Sequence, residues 1–314
     1  MLRSAIIIAI SIVAPLNADV TIRYKTDVTF NSSLPAAITD QAKQNMPRSD
    51  TAIRVKGRKG STEIFGYMSL VDTEKQTITV IDPKGQRYAT APVDQFKDAV
   101  ARAMPAIPPQ AAATMSSMKA RTESKLTGRT AEIRGIKATE RELVLTVDAP
   151  EGAPFTGPMV RMVMQLWMAD PGDAARIPAV RELVDLNLAQ YGAMDPGDMI
   201  QKMLRQVPGM GEGLKSFADD LTKSKSFLLR SHIEMFMPMF AALSKQMPQG
   251  AGNPFANFDP NSPFMQMNQD VSEFSTDSIP DSAFQVPAAY KSASLDDIMK
   301  DMMSKFQGSS PTPQ

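Results

Sequence analysis

Cysteine is absent from the 314-residue chain, and there is one histidine. Without cysteine there can be no disulfide, thiolate zinc site, cysteine nucleophile or lipid-modified N-terminal cysteine. With one histidine there can be no two-histidine metal centre. A surplus of charge is missing as well: 34 Lys and Arg balance 34 Asp and Glu. Nucleic-acid binders carry excess positive charge against phosphates, so that class is disfavoured. No G-x-S-x-G, H-E-x-x-H or P-loop pattern occurs, and nothing marks a nucleophile. No catalytic residue, metal or cofactor is expected. What the chain does have is 43% hydrophobic residues and 23 methionines. That much apolar surface predicts a folded protein of one large or two modest domains.

The N-terminus has the plan of a secretory signal peptide. Arg3 gives a basic start, Ala5 to Val13 is an apolar run, and Pro15 precedes a small residue at Ala18. The run is shorter than the roughly 20 residues that span a bilayer. Cleavage after Ala18, and a periplasmic or secreted product that is not membrane-spanning, are the expectations.

Along the mature chain, Val20 to Phe30 alternates with period two, as a half-buried strand does. Further strands are expected at 51–56, 62–71, 76–81 and 86–90, joined by turns such as Asp82-Pro-Lys-Gly85. Val93, Phe96, Val100 and Met104 switch to helical spacing. Three strands are expected at 121–127, 129–133 and 136–147, punctuated by Gly128 and Gly135. The segment 159–168 would be apolar nearly all round as a helix. As a strand it separates well, with Val160, Met162, Met164, Leu166 and Met168 on one face, so it is read as a strand. Helical periodicity returns over about 178–222, and alternation over 227–237. A strand pair is expected within 265–279, with a proline-rich loop before it. A C-terminal helix follows to Phe306, with Ser294 as its cap and Asp296 and Asp297 in its first turn, and 307–314 is a polar tail.

This order predicts an α+β fold: a curved antiparallel sheet with a helical insertion and a C-terminal helix. The domain plan is a signal at 1–18, one domain at 19–292, and the helix at 293–306.

Three runs carry a resemblance: Val55-Lys-Gly-Arg-Lys-Gly60, Met68-Ser-Leu-Val-Asp72, and Ile78-Thr-Val-Ile-Asp-Pro-Lys-Gly-Gln-Arg-Tyr88. Further matches are Lys125 to Gly135, Leu166-Trp-Met168 and Ile279 to Tyr290. In that order the chain resembles a family of exported bacterial proteins without assigned function. That family looks like a relative of the periplasmic lipoprotein-carrier and lipoprotein-receptor fold. The resemblance implies a half-barrel with an apolar cavity for acyl chains. It implies no catalytic residues.

The methionines admit three readings. Unbranched, polarisable side chains suit a surface that accepts varied apolar ligands. They also serve as ordinary core, and clustered thioethers such as Met235, Met237 and Met239 suit copper(I). His232 lies beside Arg230 and Glu234 on an alternating face, where a structural histidine is the common case. The leading expectation is a non-enzymatic exported protein that binds a lipid, acyl chain or lipoprotein. Val160, Met162, Met164, Leu166 and Met168 would line the site from one strand, and Phe227, Leu229, Ile233 and Met235 from a second. The rival is an envelope interaction module without a lipid ligand. It would dock partners through the insertion and through Leu295, Ile298, Met302 and Phe306 of the last helix.

Overall fold

The structure, a computed structural model, describes residues 19–34, 36, 39–40, 43, 50–64, 66–103, 117–176, 226–245 and 258–306. The expected signal segment, helical insertion and polar tail lie outside the described residues, as do most of 35–46 and of the proline-rich loop.

The described chain is built on one curved, open sheet of twelve strands. In chain order these are β1 (Val20–Phe30), β2 (Asp50–Lys56), β3 (Lys59–Ile64), β4 (Tyr67–Asp72), β5 (Thr77–Asp82) and β6 (Arg87–Pro92), then β7 (Lys119–Ile133), β8 (Ile136–Asp148), β9 (Pro158–Ala169), β10 (Leu228–Phe236), β11 (Met265–Ser275) and β12 (Lys291–Ser292). The helices are α1 (Val93–Ala103), α2 (Pro171–Arg176), α3 (Pro238–Ser244) and α4 (Leu295–Phe306). Spatial order is β12-β6-β5-β4-β3-β2-β1-β11-β10-β9-β8-β7. Every pairing is antiparallel except β12 with β6. Sequential strands are neighbours within both wings, through short links from β2 to β6 and from β7 to β9 and longer ones elsewhere. The centre is different: β1 pairs with β11, from Thr21 opposite Ser275 to Phe30 opposite Met265.

Three expectations from periodicity are corrected. The strand pair expected within 265–279 is one strand, β11. The single strand expected over 62–71 is two, β3 and β4, because the chain turns at Gly66, whose φ is 77°, so that Ile64 faces Tyr67. The two strands expected over 121–133 are one, β7, interrupted by a register shift between Leu126 and Thr130. Glu140 on β8 holds that irregularity. Its carboxylate is 1% exposed and accepts hydrogen bonds from Arg129 and from the Thr127 hydroxyl. A buried carboxylate needs such partners, because desolvation is otherwise costly.

The closed core runs from α1, α4 and strands of the first wing across to Ile133, Ile136, Ala169, Leu229 and Val271 of the second. Val20, Ile22, Val55, Ile78, Phe96, Ala99, Ile298 and Met299 belong to one buried cluster. Each fully buried aliphatic side chain there stabilises by about 1.5–3 kcal/mol. Leu295 and Met302 pack against the same cluster. The apolar side of α4 is therefore turned into the fold against α1. Arg87 ties α4 to the sheet by pairing with both Asp82 and Asp301, and the first of these pairs also fixes the turn at 82–85.

A charged clasp holds the start of β1. The Ile279 amide donates to the Asp19 carboxylate (2.6 Å), and Lys56 donates to the Ile279 carbonyl (2.7 Å) and pairs with Asp281 (2.8 Å). The hydrogen bond from Lys56 holds the Asp281 carboxyl below its ordinary range, and the same bond raises Lys56. A depressed carboxyl contributes stability above the unfolded-state value and loses it as pH falls through the folded one. Between about pH 6 and pH 3, Asp281→Asn should therefore flatten the acid side of the melting-temperature profile. An unchanged profile would show that the clasp contributes nothing.

Candidate functional site

The long strands β1, β11, β10, β9 and β8 have two chemically opposite faces, and register shows it row by row. Val28, Met267, Ile233, Met164 and Leu143 are successive cross-strand partners. The next row is Phe30, Met265, Met235, Met162 and Leu145. Paired residues share a face. Two adjacent rows are thus wholly apolar, with five methionines among ten side chains. Between them, on the opposite face, runs the row Thr29, Gln266, Glu234, Val163 and Val144. Asp27, Asn268, His232, Gln165 and Glu142 make the polar row beside it.

The apolar rows are neither closed core nor fully exposed. Val28, Met267, Ile233, Met164, Met162, Met235 and Met265 are half-buried, while Leu143 is buried. Past the lower row, Val160 continues the face opposite Val147. That end is bounded by aromatic rings: Phe264 lies 6.4 Å from Phe30, 5.6 Å from Phe240 of α3 and 6.4 Å from Phe258. The helix α3 also packs against β9. Toward the other end the face grades into the core through the row Thr26, Gln269, Ser231 and Leu166. Five strands about 4.8 Å apart give the apolar rows a width of roughly 19 Å.

The nine residues expected to line a site divide into two groups. Ile233 and Met235 stand directly opposite Met164 and Met162, and Val160 extends their face. Leu166, Phe227 and Leu229 are buried, and Phe227 and Leu229 belong to the closed core cluster. Met168 sits next to the shift between Leu228 and Arg230 that breaks alternation. Sequence reasoning missed Val28, Phe30, Leu143, Leu145, Met265 and Met267 as members. The available signal was their own alternation within 20–30, 136–147 and 265–267.

The polar face carries a small side-chain network around His232. His232 Nδ1 lies 2.6 Å from Asn268 Oδ1, and its Nε2 is 3.5 Å from Glu234 Oε1. Gln266 donates to the same Glu234 oxygen. The contacts to Asn268 and Gln266 tie β10 to β11, and the His232–Glu234 contact runs along β10. Among the described residues, no three His, Asp or Glu side chains cluster to hold a metal. No described helix is long and apolar enough to cross a membrane. A shallow cleft of about 300 Å³ lies between β6, α1 and the start of α4, lined by Thr90, Gln95, Asp98, Arg102, Ser294 and Asp296 among others. Its arginine is paired with Asp296 at 2.8 Å, and that hydrogen bond raises the guanidinium above its usual value.

No family model and no curated protein matches the chain.

Proposed function

We propose that this is a non-enzymatic exported protein that binds an apolar ligand, a lipid or acyl chain, alone or as part of a lipoprotein. The site is the methionine-rich face of β1, β8, β9, β10 and β11. On this reading the sheet is a half-barrel with that face inside, and the helical insertion at about 178–222 belongs to the same domain. The observation that carries it is the register. Two consecutive rows across five strands are apolar and, Leu143 apart, half-buried, while the opposite face carries the polar row from Asp27 to Glu142 and a mixed row from Thr29 to Val144. A sheet that needed only a core would bury such rows. Methionine suits the task because it repacks around ligands of varied shape. Binding would come from desolvation, at roughly 0.8 kcal/mol per methylene covered.

The signal-like N-terminus supports a periplasmic or secreted product. The resemblance of the motif order to the lipoprotein-carrier family supports the ligand class. The rival docking reading is weakened by α4, whose Ile298 and Met299 are 0% and 1% exposed.

Native mass spectrometry tests the reading on mature protein purified without detergent from an exporting host, with organic extraction alongside. Phospholipid or acyl chains are expected at near-stoichiometric level. A clean unliganded mass, with no uptake of added lipid, would overturn it and favour an interaction module.

A further inference from the structure

Methionine is unevenly placed in the sheet. Strands give the closed core Val20, Ile22, Val55, Ile78, Val80 and Val271, and among the described residues no strand gives it a methionine. Its buried methionine, Met299, comes from α4. Strand propensity favours that choice, since β-branched side chains fit a pleated surface and methionine is not among the preferred residues. Five methionines of β9, β10 and β11 stand instead in the two half-buried apolar rows. Valine and isoleucine would make an apolar surface there. What they cannot supply is a thioether sulfur.

Register seats three of these side chains side by side. Met235 is directly opposite Met265 on one side and Met162 on the other. Directly opposed residues have Cβ atoms about 4.5–5.5 Å apart, and methionine's unbranched chain can turn its sulfur toward a neighbour. Three thioethers on adjacent strands can therefore converge on one ion. Met164 and Met267 lie in the next row, on either side of Ile233. Phe30 and Leu145 end the row of three, so its five strands offer no side-chain nitrogen or oxygen. His232 and Glu234 belong to the opposite face, one residue out of phase with Met235. Chain proximity alone suggests a different set, Met235, Met237 and Met239. In the fold Met237 caps α3 and Met239 lies within that helix, while Met162 and Met265 stand beside Met235.

We propose that Met162, Met235 and Met265 form a binding site for a soft monovalent metal ion, Cu(I). Thioether donors select Cu(I), whereas carboxylate, carbonyl and water suit harder ions. The donors are neutral, so the ion's charge stays uncompensated in half-buried apolar surroundings. That cost is smaller for one charge than for two, which sets Cu(I) apart from the divalent metals. The inference goes beyond the lipid reading and does not rest on it, because Met→Leu substitution removes sulfur while keeping the face apolar and nearly the same volume.

The test is anaerobic competition for Cu(I) between the mature protein and the coloured chelator bicinchoninate, with ascorbate keeping the ion reduced. The unaltered protein is expected to withdraw one equivalent of Cu(I) and to ignore Zn(II). Met235→Leu should weaken binding by about a hundredfold, since even changes behind the ligands of a metal typically cost tenfold to a hundredfold. The triple variant Met162→Leu, Met235→Leu, Met265→Leu should abolish it while keeping the circular dichroism and lipid uptake of the parent. Thioethers have no proton to lose, so affinity should be flat between about pH 5 and pH 8, where an imidazole titrates. The double variant Met237→Leu, Met239→Leu should bind as the parent does. Failure of the unaltered protein to compete would overturn the inference and leave the lipid reading standing. Retention of Cu(I) by the triple variant, or its loss in the double variant alone, would overturn the assignment of the ligands. Affinity that falls as pH drops through the imidazole range would point to His232 and overturn it as well.

Discussion

Met164→Asp is expected to reduce ligand retention to background while leaving the far-ultraviolet circular dichroism of the sheet intact. Met164 stands at the middle of the five-strand row, between Ile233 and Leu143. It is half-buried, so the folded protein leaves a path for water to the new carboxylate. A ligand lying over that position would remove the water and strand the charge, and the free-energy cost would exceed what several methylenes return. Gln165→Lys, one residue along and on the opposite face, places its charge beside Glu142. It should leave retention unchanged. Collective loss of retention, dichroism signal and thermal transition in Met164→Asp would make Met164 a core residue and the row a packing surface.

The second large effect lies at the other end of the molecule. Ile298→Ala is expected to destabilise the fold by about 2–5 kcal/mol, the range for truncating a buried isoleucine, with the loss read by urea titration. Ile298 is 0% exposed, and its cluster joins α4 to α1 and to β1, β2, β4 and β5. A helix that existed to dock a partner would show the reverse: stability unchanged, with partner capture lost. The same variant thus separates a structural C-terminal helix from a docking one.

Much of the sheet was legible in the sequence because period two survives wherever a strand has one wet and one dry face. Val20–Phe30, Pro158–Ala169 and Leu228–Phe236 fall where alternation puts them. Gly128 and Gly135 show where local reading ends. Both adopt positive φ, 78° and 77°. Gly135 turns a hairpin, while Gly128 sits within one strand, at its register shift. What decides between them is the partner strand, where Glu140 is buried beneath the irregularity at 127–129. The site was half legible for a related reason. The face of β9 is written in its own alternation, but joining it to Met265, Met267, Val28 and Phe30 requires knowing that β1 meets β11. No property of either segment alone encodes that pairing. Leu166 is buried one row along the same face, and Phe227 and Leu229, beside the shift at Leu228, belong to the core cluster.

The meeting of β1 and β11 also sets the order of events in folding. The sheet's central seam joins the first strand to the eleventh, so it cannot zip until residue 275 is free to pair with residue 21. Closing so long a loop defers cooperativity, and contacts of this range slow folding. Each wing can form hairpins early, but the apolar face, four of whose five strands lie on one side of the seam, is complete only when β1 joins β11.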